Sequence, residues 1–203
     1  MKKPKAVRDK IIVAVTGSLG TGKSTVAKML ARRLAKIIDA DAIAHNLFMS
    51  RGKVYRAIVC MCGDRCISQG HIDRKIVARI VFEDKRLLKE LNRIVHPEVV
   101  RLIKKEITQA KQKLVVLDVP LLFEARLENL ADSIIVVKAC RDTQLKRLKK
   151  ERHLSKQEAL LRINAQMPLS KKIRLADFVI DNNGTVSQTE KQVGTLRRLL
   201  WKN

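Results

Sequence analysis

The stretch GSLGTGKST, Gly17 to Thr25, constrains this chain more than any other. Its spacing is G-x-x-x-x-G-K-S, with Gly17, Gly22, Lys23 and Ser24 at the fixed positions. The apolar, β-branched run Ile11–Thr16 precedes it, and a helical pattern from Val26 to Ala31 follows. Strand, loop and helix in that order are the context in which this pattern cradles phosphates. Glycine lets the backbone curl close to an anion with no Cβ in the way. The N–H groups of Gly20, Thr21 and Gly22, and of the first helical turn through Thr25, then face the phosphates with the positive helix end behind them. Lys23 reaches the β- and γ-phosphates, and the Ser24 hydroxyl is placed to ligate Mg²⁺. The chain therefore reads as one that binds a nucleoside triphosphate.

What the phosphates are used for depends on the rest of the chain. Its 203 residues suffice for one α/β domain with a modest insertion. No apolar run approaches the ~20 residues that span a bilayer, so no membrane partner is expected. The start, MKKPKAVRDK, is basic but lacks the apolar core of a signal peptide, and a cytoplasmic location is expected. The net charge of +23 calls for anionic partners. Aromatics make up only 3%, too few for a platform that stacks single-stranded bases, and no nucleic acid is expected. Cys60, Cys62 and Cys66 form C-x-C-x-x-x-C without a fourth ligand at zinc spacing, and they read as reduced thiols rather than a metal site.

Five short apolar runs read as strands: Ile11–Thr16, Lys36–Asp39, Leu114–Asp118, Ser133–Val137 and Phe178–Asp181. They are continuous rather than alternating, as strands buried on both faces of a parallel sheet must be. Helical patterns separate them, as βαβ crossovers require. The connection from residue 42 to about 112 is too long for a simple crossover. It reads as a helical insertion for the second substrate, with helices at Ala42–Leu47, Arg74–Phe82, Lys85–Leu91 and Pro97–Gln112. The basic stretch Arg141–Lys156 continues into a helix at Gln157–Ala165 and reads as a lid, about 141–168. The expected architecture is a phosphate-loop α/β fold with a five-stranded parallel sheet. Its core takes in about 11–41, 113–140 and 176–203.

Ligands of open α/β sheets sit beyond the carboxyl ends of the strands. The second strand ends in Asp39-Ala40-Asp41, and the third in Asp118. Asp118 follows Leu114-Val115-Val116-Leu117, a Walker B pattern, and is expected to hold Mg²⁺ near Ser24. One aspartate of the Asp39–Asp41 pair is expected to accept a proton from an attacking hydroxyl. Asp41 is favoured for that role; for Asp39 a helix cap or structural role stands equally.

Several further segments resemble the dephospho-CoA kinase family. They are TGSLGTGKSTVA, IIDADAIAH, GHIDR, VFED, LNRIVHPEV, LDVPLLFE, RINAQMP and ADFVIDNNG, collinear from Ile11 to about Leu200. The resemblance implies phosphorylation of the ribose 3′-hydroxyl of dephospho-coenzyme A by ATP, giving coenzyme A and ADP. It implies Asp41 as the base, with Lys23 and the lid residue Arg147 supplying positive charge. Arg74, His96 and Pro97 would face the acceptor, together with Asp39, Asp118 and Leu122. Arg141 and Arg162 lie in or beside the lid, and Asn182 and Gly184 would lie near the adenine.

The chain departs from the family's pattern at three places. Ser18 stands where a second glycine is common, and no glycine ends the first helix in Arg32-Arg33-Leu34-Ala35-Lys36. The lid reads Arg147-Leu148-Lys149-Lys150-Glu151-Arg152 rather than Arg-Leu-x-x-Arg, leaving Lys150 and Arg152 as further candidates for the γ-phosphate. Another small-molecule or nucleotide kinase of the same fold and a basic nucleic-acid-binding ATPase are the competing readings. DVPLLFE with LNRIVHPEV speaks against the first, and the missing recognition module against the second.

Overall fold

The computed structural model describes residues 10–32 and 34–200. Arg33, Trp201 and the first nine residues of the basic start lie outside the described residues. Two compact units emerge. One runs to Ile38 and resumes at Ala110; the other is Asp39–Gln109.

In the first unit, strand β1 (Ile11–Gly17) leads through the glycine loop to helix α1 (Lys23–Ala31). Strand β2 is Ala35–Asp39, and β5 (Leu114–Asp118) and β6 (Ser133–Lys138) follow the other unit. Helices α6 (Arg141–Arg152), α7 (Lys156–Asn164) and α8 (Leu169–Arg174) precede β7 (Phe178–Asp181) and the final helix α9 (Val186–Leu200). The sheet order is β2-β5-β1-β6-β7, a five-stranded parallel sheet flanked by helices. Ile12 pairs with Val115, Val13 with Ser133, and Val136 with Val179. Every residue of β5 is buried, which is why its run shows no alternation. Val13, Val15, Val116, Ile135 and Ile180 pack with Val26 and Leu30 of α1 and Val193 and Leu196 of α9.

β2 and β5 lie on one side of β1, and β6 and β7 on the other, so the strand order reverses beside β1; ligands of such sheets sit beyond the carboxyl ends at that point. The glycine loop emerges there. Gly22 caps α1 at φ 84°, a left-handed conformation that side chains resist, and the Asn182 amide fills the space a Cβ would need.

The second unit is helical, with α2 (Ala40–Met49), α3 (Lys53–Cys62), α4 (Arg74–Glu83) and α5 (Lys85–Gln109). A small hairpin, β3 (Ile67–Ser68) and β4 (His71–Ile72), turns at Gln69-Gly70 between α3 and α4. Asp73 caps α4, its Oδ1 accepting from the N–H groups of Lys75 at 2.7 Å and Ile76 at 3.3 Å. The two helices expected at Lys85–Leu91 and Pro97–Gln112 are one helix of 25 residues, with Pro97 inside it. Proline removes one N–H and costs a helix interior about 3 kcal/mol. Here α2, α3 and α4 all pack on α5, and buried Val95, Val99 and Ile103 supply the offsetting apolar contact. No helix among the described residues is long and apolar enough to cross a membrane.

Candidate active site

The loop from Gly17 to Lys23 is built by side chains far away in sequence. Thr21 Oγ1 donates to the Ser18 carbonyl at 2.8 Å and closes the turn internally. The Thr21 carbonyl accepts from Asn182 Nδ2 at 2.8 Å and from Arg147 Nη1 at 3.2 Å. Arg147 Nη2 donates to the Asn182 carbonyl at 2.9 Å, and Thr189 Oγ1 to Asn182 Oδ1 at 2.8 Å. The end of β7, the middle of α6 and the start of α9 thus hold one face of the loop. Arg147 uses two of its five N–H groups in this way.

Lys23 opens α1 with its ammonium 3.8 Å from Asp118 Oδ1, both side chains largely shielded from water. The pair sets opposite charges side by side at the N-terminus of α1. Asp118 is buried at the end of β5, and Ser24 is exposed in the first turn of α1. These are hard oxygen donors. One carboxylate and one hydroxyl suit Mg²⁺, which keeps water and substrate oxygens in its remaining positions. Thr25 follows Ser24 on the exposed side of the same turn.

The strand-end segment after Asp118 is fixed from below. The Pro120 carbonyl accepts from Thr16 Oγ1 at 3.2 Å and from Lys172 Nζ at 2.7 Å. Lys172 is fully buried in α8, and its ammonium pairs with Glu124 Oε1 at 2.9 Å. Burial pushes the Lys172 ammonium below its ordinary range, against the opposing pull of Glu124. Leu122 is fully buried in the same turn-rich segment, so its contribution is packing.

In the helical unit, Asp39 Oδ1 accepts from the N–H groups of Asp41 at 2.9 Å and Ala42 at 3.1 Å, making Asp39 the cap of α2. Asp41 stands exposed in the first turn of that helix. Arg74 opens α4; its Nη1 lies 3.3 Å from His45 Nδ1 and its guanidinium 5.6 Å from the Phe48 ring centroid. Pro97 lines a groove of about 570 Å³ between α3 and α5, with Lys53, Cys60 and Arg93. His96, one residue earlier, is half-buried, and burial lowers its imidazole below 6.5. Cys60 and Cys140 are exposed, Cys62 and Cys66 buried, and burial raises the last two thiols.

Arg141 is exposed at the start of α6, and Arg162 is exposed near the end of α7. Gly184 lies in the turn between β7 and α9, where Thr185 N donates to Gln188 Oε1 at 2.8 Å. The sequence reading assigned no role to Gln166, Glu124 or Lys172. Gln166 and Glu124 lie in the segments RINAQMP and LDVPLLFE, so the signal was present without a function attached.

Residues 11–188 match the family model described as CoaE, dephospho-CoA kinase. The curated dephospho-CoA kinase of Carboxydothermus hydrogenoformans is 42% identical over 197 residues, covering 95% of this chain and 96% of the relative. That of Bacillus licheniformis is also 42% identical, over 201 residues, covering 95% and 98%. Among solved structures, a Thermus thermophilus protein superposes with a TM-score of 0.82 at 33% identity, covering 93% of this chain and 97% of that one. A dephospho-CoA kinase from Campylobacter jejuni gives 0.69 at 27%, covering 94% and 97%. Shikimate kinase from Bacteroides thetaiotaomicron, at 0.54 and 16% with 94% and 98% covered, shares the fold.

Proposed function

The chain belongs to the dephospho-CoA kinase family, and from that premise we propose that it transfers the γ-phosphoryl group of ATP to the ribose 3′-hydroxyl of dephospho-coenzyme A. The products are coenzyme A and ADP, in the last step of coenzyme A synthesis. The observation that carries this reading is the family match over residues 11–188, joined to a glycine loop whose Lys23 faces the strand-end carboxylate Asp118.

Phosphoryl transfer needs positioning and charge neutralisation more than covalent help. The N–H groups of Gly20, Gly22 and the first turn of α1 through Thr25 bind the phosphates; the Thr21 N–H donates to the Ser18 carbonyl at 3.3 Å and so shapes the loop, as Gly17 shapes its entry. Lys23 neutralises the β- and γ-phosphates. Ser24 and Asp118 would hold Mg²⁺, which when bound neutralises charge on the phosphate oxygens. Asp41 orients the acceptor hydroxyl and takes its proton; Asp39, as the cap of α2, sets the backbone that carries Asp41. Arg74, His96 and Pro97 bind the acceptor, with Leu122 packing the segment beyond Asp118.

Helices α6 and α7 act as the lid. Arg147 uses its remaining N–H groups toward phosphate oxygens, and Arg141 and Arg162 add charge at the lid's ends. Asn182 and Gly184 border the adenine. A cytoplasmic enzyme without nucleic-acid or membrane partners accords with these small anionic substrates.

The test is ADP release with dephospho-coenzyme A as acceptor, run beside shikimate, gluconate and nucleoside monophosphates. Turnover with dephospho-coenzyme A alone is expected. Turnover only with another acceptor would sink the assignment.

A further inference from the structure

The phosphate loop has two halves that do different work. In the second half, Asn182 and Arg147 hold the Thr21 carbonyl and the loop runs into α1. The first half, Ser18 and Leu19, is fastened to other parts of the protein. The Leu19 N–H donates to Gln166 Oε1 at 3.0 Å, and Ser18 Oγ donates to the same oxygen at 3.2 Å. The Leu19 side chain packs into the small core of α6 and α7 with Leu148, Ala159 and Ile163. Gly20 then passes so close to α6 that an added Cβ would sit 3.0 Å from the Gln144 carbonyl oxygen and 3.1 Å from Leu148 Cγ.

Gln166 is itself held from behind. It lies in the short strap between α7 and α8. The next residue, Met167, donates its N–H to Glu124 Oε1 at 2.9 Å, the oxygen that also receives Lys172. Lys172 in turn holds the Pro120 carbonyl, two residues beyond Asp118. A hydrogen-bonded chain therefore runs from the loop backbone, through the strap, to the strand-end segment that carries the carboxylate. A fully buried lysine is costly unless paired, so this arrangement has one well-satisfied form.

We propose that Gln166 is a positioning residue, clasping the first half of the phosphate loop to the α6–α7 pair so that loop and lid hold one register. A phosphate seated on the later N–H groups then meets cations of α6 already in place. Gln166 need not touch the nucleotide. Its oxygen fixes the backbone N–H of Leu19, so that this N–H serves the fold rather than the ligand. The catalytic consequence rests on the kinase reading; the clasp itself does not.

The test uses two variants of the full-length protein. Gln166→Met keeps the length and removes the acceptor, whereas Gln166→Glu keeps acceptor oxygens at the same reach. In nucleotide-free protein, the Leu19 amide of Gln166→Met should exchange about tenfold faster, the loss of one ordinary hydrogen bond. The amides of Ile12–Val15 should be unchanged, and Gln166→Glu should restore the protection. With dephospho-coenzyme A as acceptor, Gln166→Met should lose about tenfold in kcat with the acceptor KM unchanged. Unaltered Leu19 exchange in Gln166→Met would overturn the clasp, as would failure of Gln166→Glu to restore it. Equal acceleration of the β1 amides would show a merely structural role. If dephospho-coenzyme A proves not to be an acceptor, the exchange arms still decide the role of Gln166, so the two failures are separable.

Discussion

Asn182 is the residue whose replacement should be felt most widely in the site. Its side chain makes two buried hydrogen bonds, Nδ2 to the Thr21 carbonyl and Oδ1 from Thr189 Oγ1, both at 2.8 Å. Asn182→Ala removes both, at about 1 kcal/mol each. The larger penalty for a stranded buried group is avoided at both ends. The Thr21 carbonyl retains Arg147 Nη1 at 3.2 Å, and Thr189 Oγ1 retains the Thr185 carbonyl at 3.3 Å. The expected loss is therefore about 2 kcal/mol, or roughly 4–8 °C in Tm for a chain of this size. Asn182→Asp should be worse despite its similar shape. It keeps the acceptor for Thr189 but turns a carboxylate oxygen toward the Thr21 carbonyl, and it adds negative charge beside the loop proposed to bind phosphate. Like charges brought together cost several kcal/mol, so ATP affinity in Asn182→Asp should fall by about tenfold or more. Thermal melts and calorimetric ATP titrations of both variants decide the matter. A melt of Asn182→Ala unchanged from wild type, or an Asp variant that binds ATP as well as the Ala variant, would refute the reasoning.

The remaining predictions concern charge, conformation and proton uptake. Lys23→Ala should lower turnover by about 10²–10³-fold with a native circular-dichroism spectrum, and near-native turnover would remove Lys23 from the reaction. Asp41→Asn should lower turnover by about 10²–10⁴-fold with ATP affinity little changed. Asp39→Asn, which keeps the capping oxygen, should cost less in rate; the reverse order would place the base on Asp39. Arg32 ends α1 at φ 41° and ψ −127°, a conformation in which a side chain is strained. Arg32→Gly should therefore stabilise the fold by about 1 kcal/mol, read as a rise in the denaturant midpoint at unchanged slope. Burial depresses the His96 imidazole below 6.5, so below that pH the unfolded chain takes up a proton that the folded form resists. Wild-type stability should thus fall as pH drops below about 6.5, and His96→Gln should lose less over the same range.

The sheet was legible because burial on both faces leaves a local mark: Leu114–Asp118 is apolar until the aspartate, and it forms β5 with those bounds. The glycine loop was legible because Gly22 has both a left-handed backbone and a neighbour in the space of its missing Cβ. Pro97 misled, since a local rule starts a helix at proline, whereas packing by three other helices carries α5 through it. The missing glycine after α1 was visible as a departure, and it surfaces as the positive φ of Arg32. What local pattern does not disclose is which distant side chain satisfies which backbone group. The Leu19 N–H finds its acceptor 147 residues away, and Met167 finds Glu124 43 residues away. Nothing in the spacing of RINAQMP distinguishes a glutamine that touches a ligand from one that ties down a loop. Arg147 makes the same point from the other side. Its place in a basic helix pointed to phosphate, but its bonds to the Thr21 and Asn182 carbonyls make it equally a part of the loop's scaffold. Loss of Arg147 therefore removes two backbone restraints along with the charge, and the rate of an Ala variant alone does not separate them. Arg147→Lys keeps the charge and loses the planar fork, so the difference between the Lys and Ala variants isolates the charge.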